Sequence, residues 1–83
     1  MARARAWYVY LARCADGSLY CGITNDLVGR FAAHDAGKGA KYTRGRGPLV
    51  LVYQRRCRDK SRALKLEHSI KQLSRAQKLE LIA

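Results

Sequence analysis

The chain has little acid, few cysteines and no long apolar run. Six Asp/Glu face seventeen Lys/Arg, giving a net charge of +11 over 83 residues. Cys14, Cys21 and Cys57 are odd in number and have no C-x-x-C spacing, which argues against a disulfide framework and against a zinc site. They read as small buried hydrophobes in a reducing compartment. Arg3 and Arg5 precede Trp7, but no apolar stretch long enough for a signal peptide or a membrane span follows. A cytoplasmic protein with no membrane association is therefore expected. The phosphate-loop spacing G-x-x-x-x-G-K-[ST] is absent as well. The length suits one domain, 1–83, with one modest core.

What is abundant is positive charge, and its default partner is nucleic acid. The charge is uneven. From Lys38 to Lys60 inclusive there are eight basic residues and one acid, Asp59. Residues 37–48 contain Gly37, Gly39, Gly45 and Gly47 and read as a loop that also carries Lys38, Lys41, Arg44 and Arg46. Glycines let a backbone approach a phosphate and the cations neutralise it, so these four are candidate nucleic-acid contacts.

Residues 7–14 and 18–24 read as strands, rich in Tyr, Val, Ile and Leu, around the turn signal Ala15-Asp16-Gly17. A three-residue loop with Gly17 in the left-handed region pairs Cys14 with Ser18, Ala12 with Tyr20 and Tyr10 with Gly22. Tyr10 and Tyr20 then share one sheet face, whereas a two-residue loop separates them. Their small partners, Gly22 and Ala12, are expected to leave an open patch between the rings. Thr24, Asn25 and Asp26 are N-cap candidates for a helix to about Ala36, with Leu27, Val28, Phe31 and Ala32 as its apolar stripe and Arg30 and His34 beside it. Leu49–Tyr53 reads as a third strand running on toward Cys57, and its apolar opening suggests burial on both faces. Asp59 or Ser61 can cap a second helix through about Leu73. Ser74 can cap a short last one, with Leu79, Leu81 and Ile82 as its apolar part.

In the second helix Ala63, Leu66, Ile70 and Leu73 form the core stripe. Glu67 sits on or beside that stripe, where a lone carboxylate is costly without a partner. Lys71, at i+4, is one partner; a divalent metal ion or an arginine across the fold is the other. His68 reads as a surface residue.

Tyr8-Val9-Tyr10, Tyr20-Cys21-Gly22-Ile23-Thr24-Asn25, Arg30, His34 and Glu67, in that order, resemble the GIY-YIG nuclease domain. The small stand-alone bacterial proteins of that family (the UPF0213 group) are the most similar. The resemblance covers about residues 7–73, with Tyr at position 8 where the motif has Gly and Cys at 21 where it has Ile. It implies an α+β fold in ββαβαα order, a small three-stranded antiparallel sheet flanked by helices. It implies a metal-dependent endonuclease acting on nucleic acid, DNA first, in repair or recombination. Tyr10 and Tyr20 stand for the active-site tyrosines, Arg30 for the arginine on the phosphate, His34 for a proton-transfer or phosphate-contact residue, and Glu67 for the carboxylate that binds Mg²⁺ or Mn²⁺.

The chemistry is coherent. One Mg²⁺ that keeps most of its waters needs a single carboxylate, and arginine grips phosphate bidentately. The base is left open among Tyr10, Tyr20 and His34, because a tyrosine needs nearby cations to ionise near neutral pH. The alternative function is a non-catalytic nucleic-acid-binding protein or an accessory subunit on the same fold. After residue 73 about ten residues remain, so specificity falls to backbone shape and charge or to a partner protein. Either a monomer or a weak dimer fits.

Overall fold

The computed structural model describes residues 6–35 and 48–82. Among these the elements run β1 (Trp7–Arg13), β2 (Leu19–Thr24), α1 (Leu27–Asp35), β3 (Val50–Cys57), α2 (Lys60–Lys71) and α3 (Arg75–Ile82). The strands form one antiparallel sheet in the order β2-β1-β3. The α+β class and the ββαβαα order are thus as the sequence predicts.

The first turn sets the register of everything that follows. Cys14 N–H donates to the Ser18 carbonyl at 2.8 Å, and Gly17 has φ +86°. The Asp16 carboxylate accepts from the Ser18 N–H at 3.0 Å and from its hydroxyl at 2.6 Å, which stiffens the tip. Tyr10 therefore pairs with Gly22 and Ala12 with Tyr20.

β1 is central, so each of its faces is covered. Val9 and Leu11 point to one side and pack with Cys21, Ala63 and Ile70 under α2. Tyr10, Ala12 and Cys14 point to the other and pack with Leu49, Tyr20, Leu27 and Phe31 under α1. Val9, Leu11 and Tyr10 are fully buried, each contributing about 1.5–3 kcal/mol of apolar burial.

β3 corrects the expectation of burial on both faces. It is an edge strand, and Val50 and Leu51 are 54% and 39% exposed. A bulge explains why its apolar run fails to alternate. Leu11 pairs with Tyr53 but Ala12 with Leu51, so Val52 is the extra residue, and Val52 and Tyr53 both pack on the α2-side core. Farther along, Arg55 and Arg56 are exposed and guard the edge with charge.

The caps follow the sequence. Asp26 caps α1, its carboxylate accepting from Gly29 N–H at 3.1 Å. Asp59 caps α2 through Arg62 N–H at 2.9 Å. Ser74 and Gln77 form a reciprocal capping box at the start of α3, with bonds of 3.2 and 2.9 Å. The α2 stripe holds, with Ala63 and Ile70 buried and Leu66 and Leu73 half-buried. α3 departs from expectation, because Leu79 and Leu81 are exposed and Ile82 alone of its three apolar candidates packs on the core. The α1 stripe is also rotated. Val28 is 83% exposed and Ala32 is exposed, while Leu27, Arg30, Phe31 and His34 turn inward. Cys14 and Cys21 are buried and Cys57 is half-buried; all three are free.

Candidate active site

The inward face of α1 lies over the two tyrosines, and this places four of the five predicted residues together. The Tyr10 hydroxyl meets His34 Nε2 at 3.1 Å. The Tyr10 ring is 6.2 Å from that of Tyr20 and 5.3 Å from Phe31, and Tyr20 is 5.6 Å from the His34 ring, centroid to centroid. Arg30 completes the group, its guanidinium charge acting on both phenols and most on that of Tyr10. The spacing of α1 makes this possible. Positions 27, 30, 31 and 34 form one i, i+3, i+4, i+7 face, so the polar pair shares the face with Leu27 and Phe31.

The patch expected to be open between the tyrosines is closed. A Cβ at Gly22 would meet Tyr10 Oη at 2.6 Å, Cζ at 2.8 Å and Tyr20 Cε2 at 3.0 Å. The end of the Tyr10 ring thus lies in the space that glycine leaves. Tyr10 and His34 are buried, whereas Tyr20 and Arg30 keep part of their surface in solvent.

Burial governs the protonation states. It pushes the Tyr10 phenol upward, and the hydrogen bond from Arg30 only partly offsets this. Arg30 is raised, first by its hydrogen bond to Tyr10, with burial opposing and Tyr20 adding. His34 is lowered, first by burial and then by the Arg30 charge, with Asp35 opposing. The Tyr10 hydroxyl and His34 Nε2 share one proton, and the imidazole tautomer sets which of the two donates it. One donor is left over, since Arg30 Nε is buried with no hydrogen-bond partner among the described residues. An unmet buried donor costs about 1–3 kcal/mol, which an incoming acceptor restores.

The His34 shift has a stability consequence. With a folded pKa below its ordinary 6.5, the unfolded chain takes up the proton first as pH falls through 6.5. Stability at neutral pH is therefore lost on acidification from there down to the folded value. We expect the urea midpoint to drop from pH 7 to pH 5 and the drop to shrink in His34→Gln; an equal drop in both proteins contradicts a buried neutral imidazole. His68 is exposed and bonded to Gln72 at 2.7 Å, as a surface residue should be.

Glu67 is placed differently. It projects from α2, which packs on the sheet face opposite Tyr10 and Tyr20. Its side chain is 18% exposed and pairs with Lys71 at 3.6 Å. It lies near the Cys21 thiol, which burial first and the Glu67 charge second push up to about 11. Cys21 follows Tyr20 on the edge strand β2, and a cavity lined by Leu19, Tyr20, Cys21, Lys71 and Lys78 opens along that edge. Tyr20 and Glu67 thus flank one sheet edge from its two faces. Lys71 and Lys78 are contributors that the motif does not reveal, since nothing in their spacing sets them apart from other helix lysines. Among the described residues no three His, Cys, Asp or Glu come together as a metal cluster. A single carboxylate does not suit zinc, but it fits a hard divalent ion that keeps most of its waters. The candidate nucleic-acid contacts Lys38, Lys41, Arg44 and Arg46 lie outside the described residues. No helix among the described residues is long and apolar enough to cross a membrane.

A three-stranded sheet whose paired tyrosines meet an arginine and a histidine from the following helix defines a class. Residues 6–80 match the GIY-YIG catalytic domain, and the chain belongs to the GIY-YIG family, a nuclease family. Within it, the chain is similar to UPF0213 proteins. One from Vibrio cholerae serotype O1 is 58% identical over 78 residues, covering 93% of this chain and 77% of that one. Another, from Oceanobacillus iheyensis, is 55% identical over 75 residues, covering 90% and 87%. The solution NMR structure of the UPF0213 protein of Bacillus halodurans superposes with TM-score 0.60 at 47% identity, covering 93% and 82%.

Proposed function

We propose that this protein is an endonuclease that hydrolyses phosphodiester bonds, of DNA first, with one divalent metal ion. The observation that carries the reading is Arg30: a guanidinium beside two phenols, with a buried Nε that has no acceptor among the described residues. A phosphate oxygen supplies that acceptor, and the bidentate fork fixes its orientation.

The residues divide by exposure. Tyr20 and Arg30 retain accessible surface and contact the phosphate. Tyr10 and His34 are buried and position them, Tyr10 by holding Arg30 and His34 by anchoring Tyr10. The Tyr20 hydroxyl, beside the Arg30 cation, takes the proton of the attacking water as it passes its own proton on to solvent. The hydroxide bonds to phosphorus, the bond to the 3′ oxygen breaks, and that oxygen takes a proton from solvent, leaving a 5′-phosphate. Glu67 would hold the Mg²⁺ or Mn²⁺, which when bound polarises the phosphoryl and leaving oxygens. Lys71, Lys78 and the basic segment carrying Lys38, Lys41, Arg44 and Arg46 neutralise neighbouring phosphates. Such contacts read shape and charge, so a partner protein would supply any sequence choice.

The test is cleavage of supercoiled, branched and single-stranded DNA with Mg²⁺ or Mn²⁺, for wild type beside Arg30→Ala and Glu67→Ala. We expect each variant to lose about 10²–10³-fold in rate. Glu67→Ala should also lose its metal dependence. Wild type that binds all three substrates and cuts none would leave a binding protein on this fold.

A further inference from the structure

On the α1 side of the sheet, beyond the proposed centre, is a second cavity of about 490 Å³, lined by Tyr8, Gln54, Arg56, Asn25, Asp26 and Val28 among others. We infer that this cavity holds an unpaired nucleotide of the bound strand, flanking the phosphate at Arg30, with its base stacked on Tyr8. The inference rests on the nuclease reading of the neighbouring centre.

Three observations support it. First, Tyr8 faces the same side as Tyr10, two residues away along β1, which is about 7 Å at strand rise. Stacked nucleotides rise about 3.4 Å each, so the cavity lies within roughly two nucleotide steps of the proposed scissile phosphate. Second, Tyr8 belongs to neither apolar cluster and keeps part of its surface exposed, unlike the buried Tyr10. Its cross-strand neighbours are Thr24 on β2 and Arg56 on β3. A flat ring is thereby set beside a cation and the exposed Gln54 carboxamide, which are the three groups a nucleotide uses: a stacking surface, a phosphate partner and an edge donor–acceptor. Third, Val28 is the most exposed of the large apolar side chains among the described residues and lines this cavity, where it can cover a sugar or base face. The one acid on the wall, Asp26, has its carboxylate engaged by the Gly29 N–H as the α1 cap.

A base that enters this cavity to stack on Tyr8 must leave its pair. The subsite thus favours single-stranded or frayed segments over closed duplex.

The experiment measures binding in EDTA, so that nothing is cut, by fluorescence anisotropy of a labelled thymidine 12-mer and of a closed duplex hairpin. The proteins are wild type, Tyr8→Phe, Tyr8→Leu and Arg56→Gln. We expect Tyr8→Leu to weaken the single strand by about tenfold and the hairpin by much less. Tyr8→Phe should bind as wild type does. Arg56→Gln, a change at an exposed position that the core does not depend on, should lower the salt slope by about one phosphate contact. Equal single-strand affinity for Tyr8→Leu and wild type overturns the inference, as does an equal loss on the hairpin or a loss in Tyr8→Phe as large as in Tyr8→Leu. Because the readout is binding, absence of cleavage under Mg²⁺ would remove the nuclease reading and leave the Tyr8 result standing on its own.

Discussion

Gly22→Ala should unsettle the whole centre through one methyl group. Its Cβ would sit 2.6 Å from the Tyr10 hydroxyl and 2.8 Å from Cζ. Real Cβ atoms do not approach other atoms that closely, so something must move. Tyr10 has little freedom to do so, being fully buried with Phe31 5.3 Å from its ring and His34 bonded to its hydroxyl. The chain must then tilt the ring off its rotamer or spread β1 from β2, at a cost of about 1–3 kcal/mol. Either response breaks the bond to His34 Nε2. We expect a lower urea midpoint with an unchanged slope, together with a His34 titration that returns toward its ordinary value because the imidazole loses its buried neutral setting. A variant as stable as wild type, with His34 still lowered, would show that the Tyr10 ring does not lie over Gly22.

The second large effect separates the two tyrosines. Tyr20→Phe should slow cleavage by about 10²–10⁴-fold at nearly unchanged stability, because it removes the phenol that meets water and phosphate. Tyr10→Phe should lose stability by about 1 kcal/mol, since its hydroxyl is a buried bond to His34 and a partner of Arg30. Its rate should fall less, through a misplaced Arg30, and appear as weaker phosphate binding more than as slower chemistry. The physical reason is burial: both phenols feel the Arg30 charge, but of the two only Tyr20 is accessible to a reactant. Single-turnover rates and melting curves of the two variants check this. A reversed pattern, with Tyr10→Phe inactive but stable, would move the reacting phenol to β1.

How far these residues could be foreseen depends on the kind of signal. Ala15-Asp16-Gly17 specifies a local turn, and a local turn sets register, so the shared face of Tyr10 and Tyr20 is readable directly. The caps at Asp26, Asp59 and Ser74 are local in the same way. The α1 stripe is not. Counting apolar residues alone selects Val28 and Ala32, yet the inward face includes Arg30 and His34, polar groups that meet the two tyrosines of the sheet. β3 misleads for a related reason. A continuous apolar run looks doubly buried, but a bulge at Val52 turns two successive residues onto one core and leaves Val50 and Leu51 in solvent. Bulges and strand order are set by tertiary pairing, which a single strand's composition does not encode. Glu67 lies between these cases. Its place on the core stripe is legible, and its Lys71 partner is the i+4 pair, but its approach to the β2 edge from the far face depends on how α2 crosses the sheet.

The most direct measurement is the nicking of supercoiled plasmid in Mg²⁺ or Mn²⁺ by wild type and Arg30→Ala, with DNA binding followed in parallel. We expect wild type to nick and Arg30→Ala to nick about 10²–10³-fold more slowly while still binding through the remaining cations. Equal nicking by the two proteins, or binding without nicking by wild type under either metal, would contradict it.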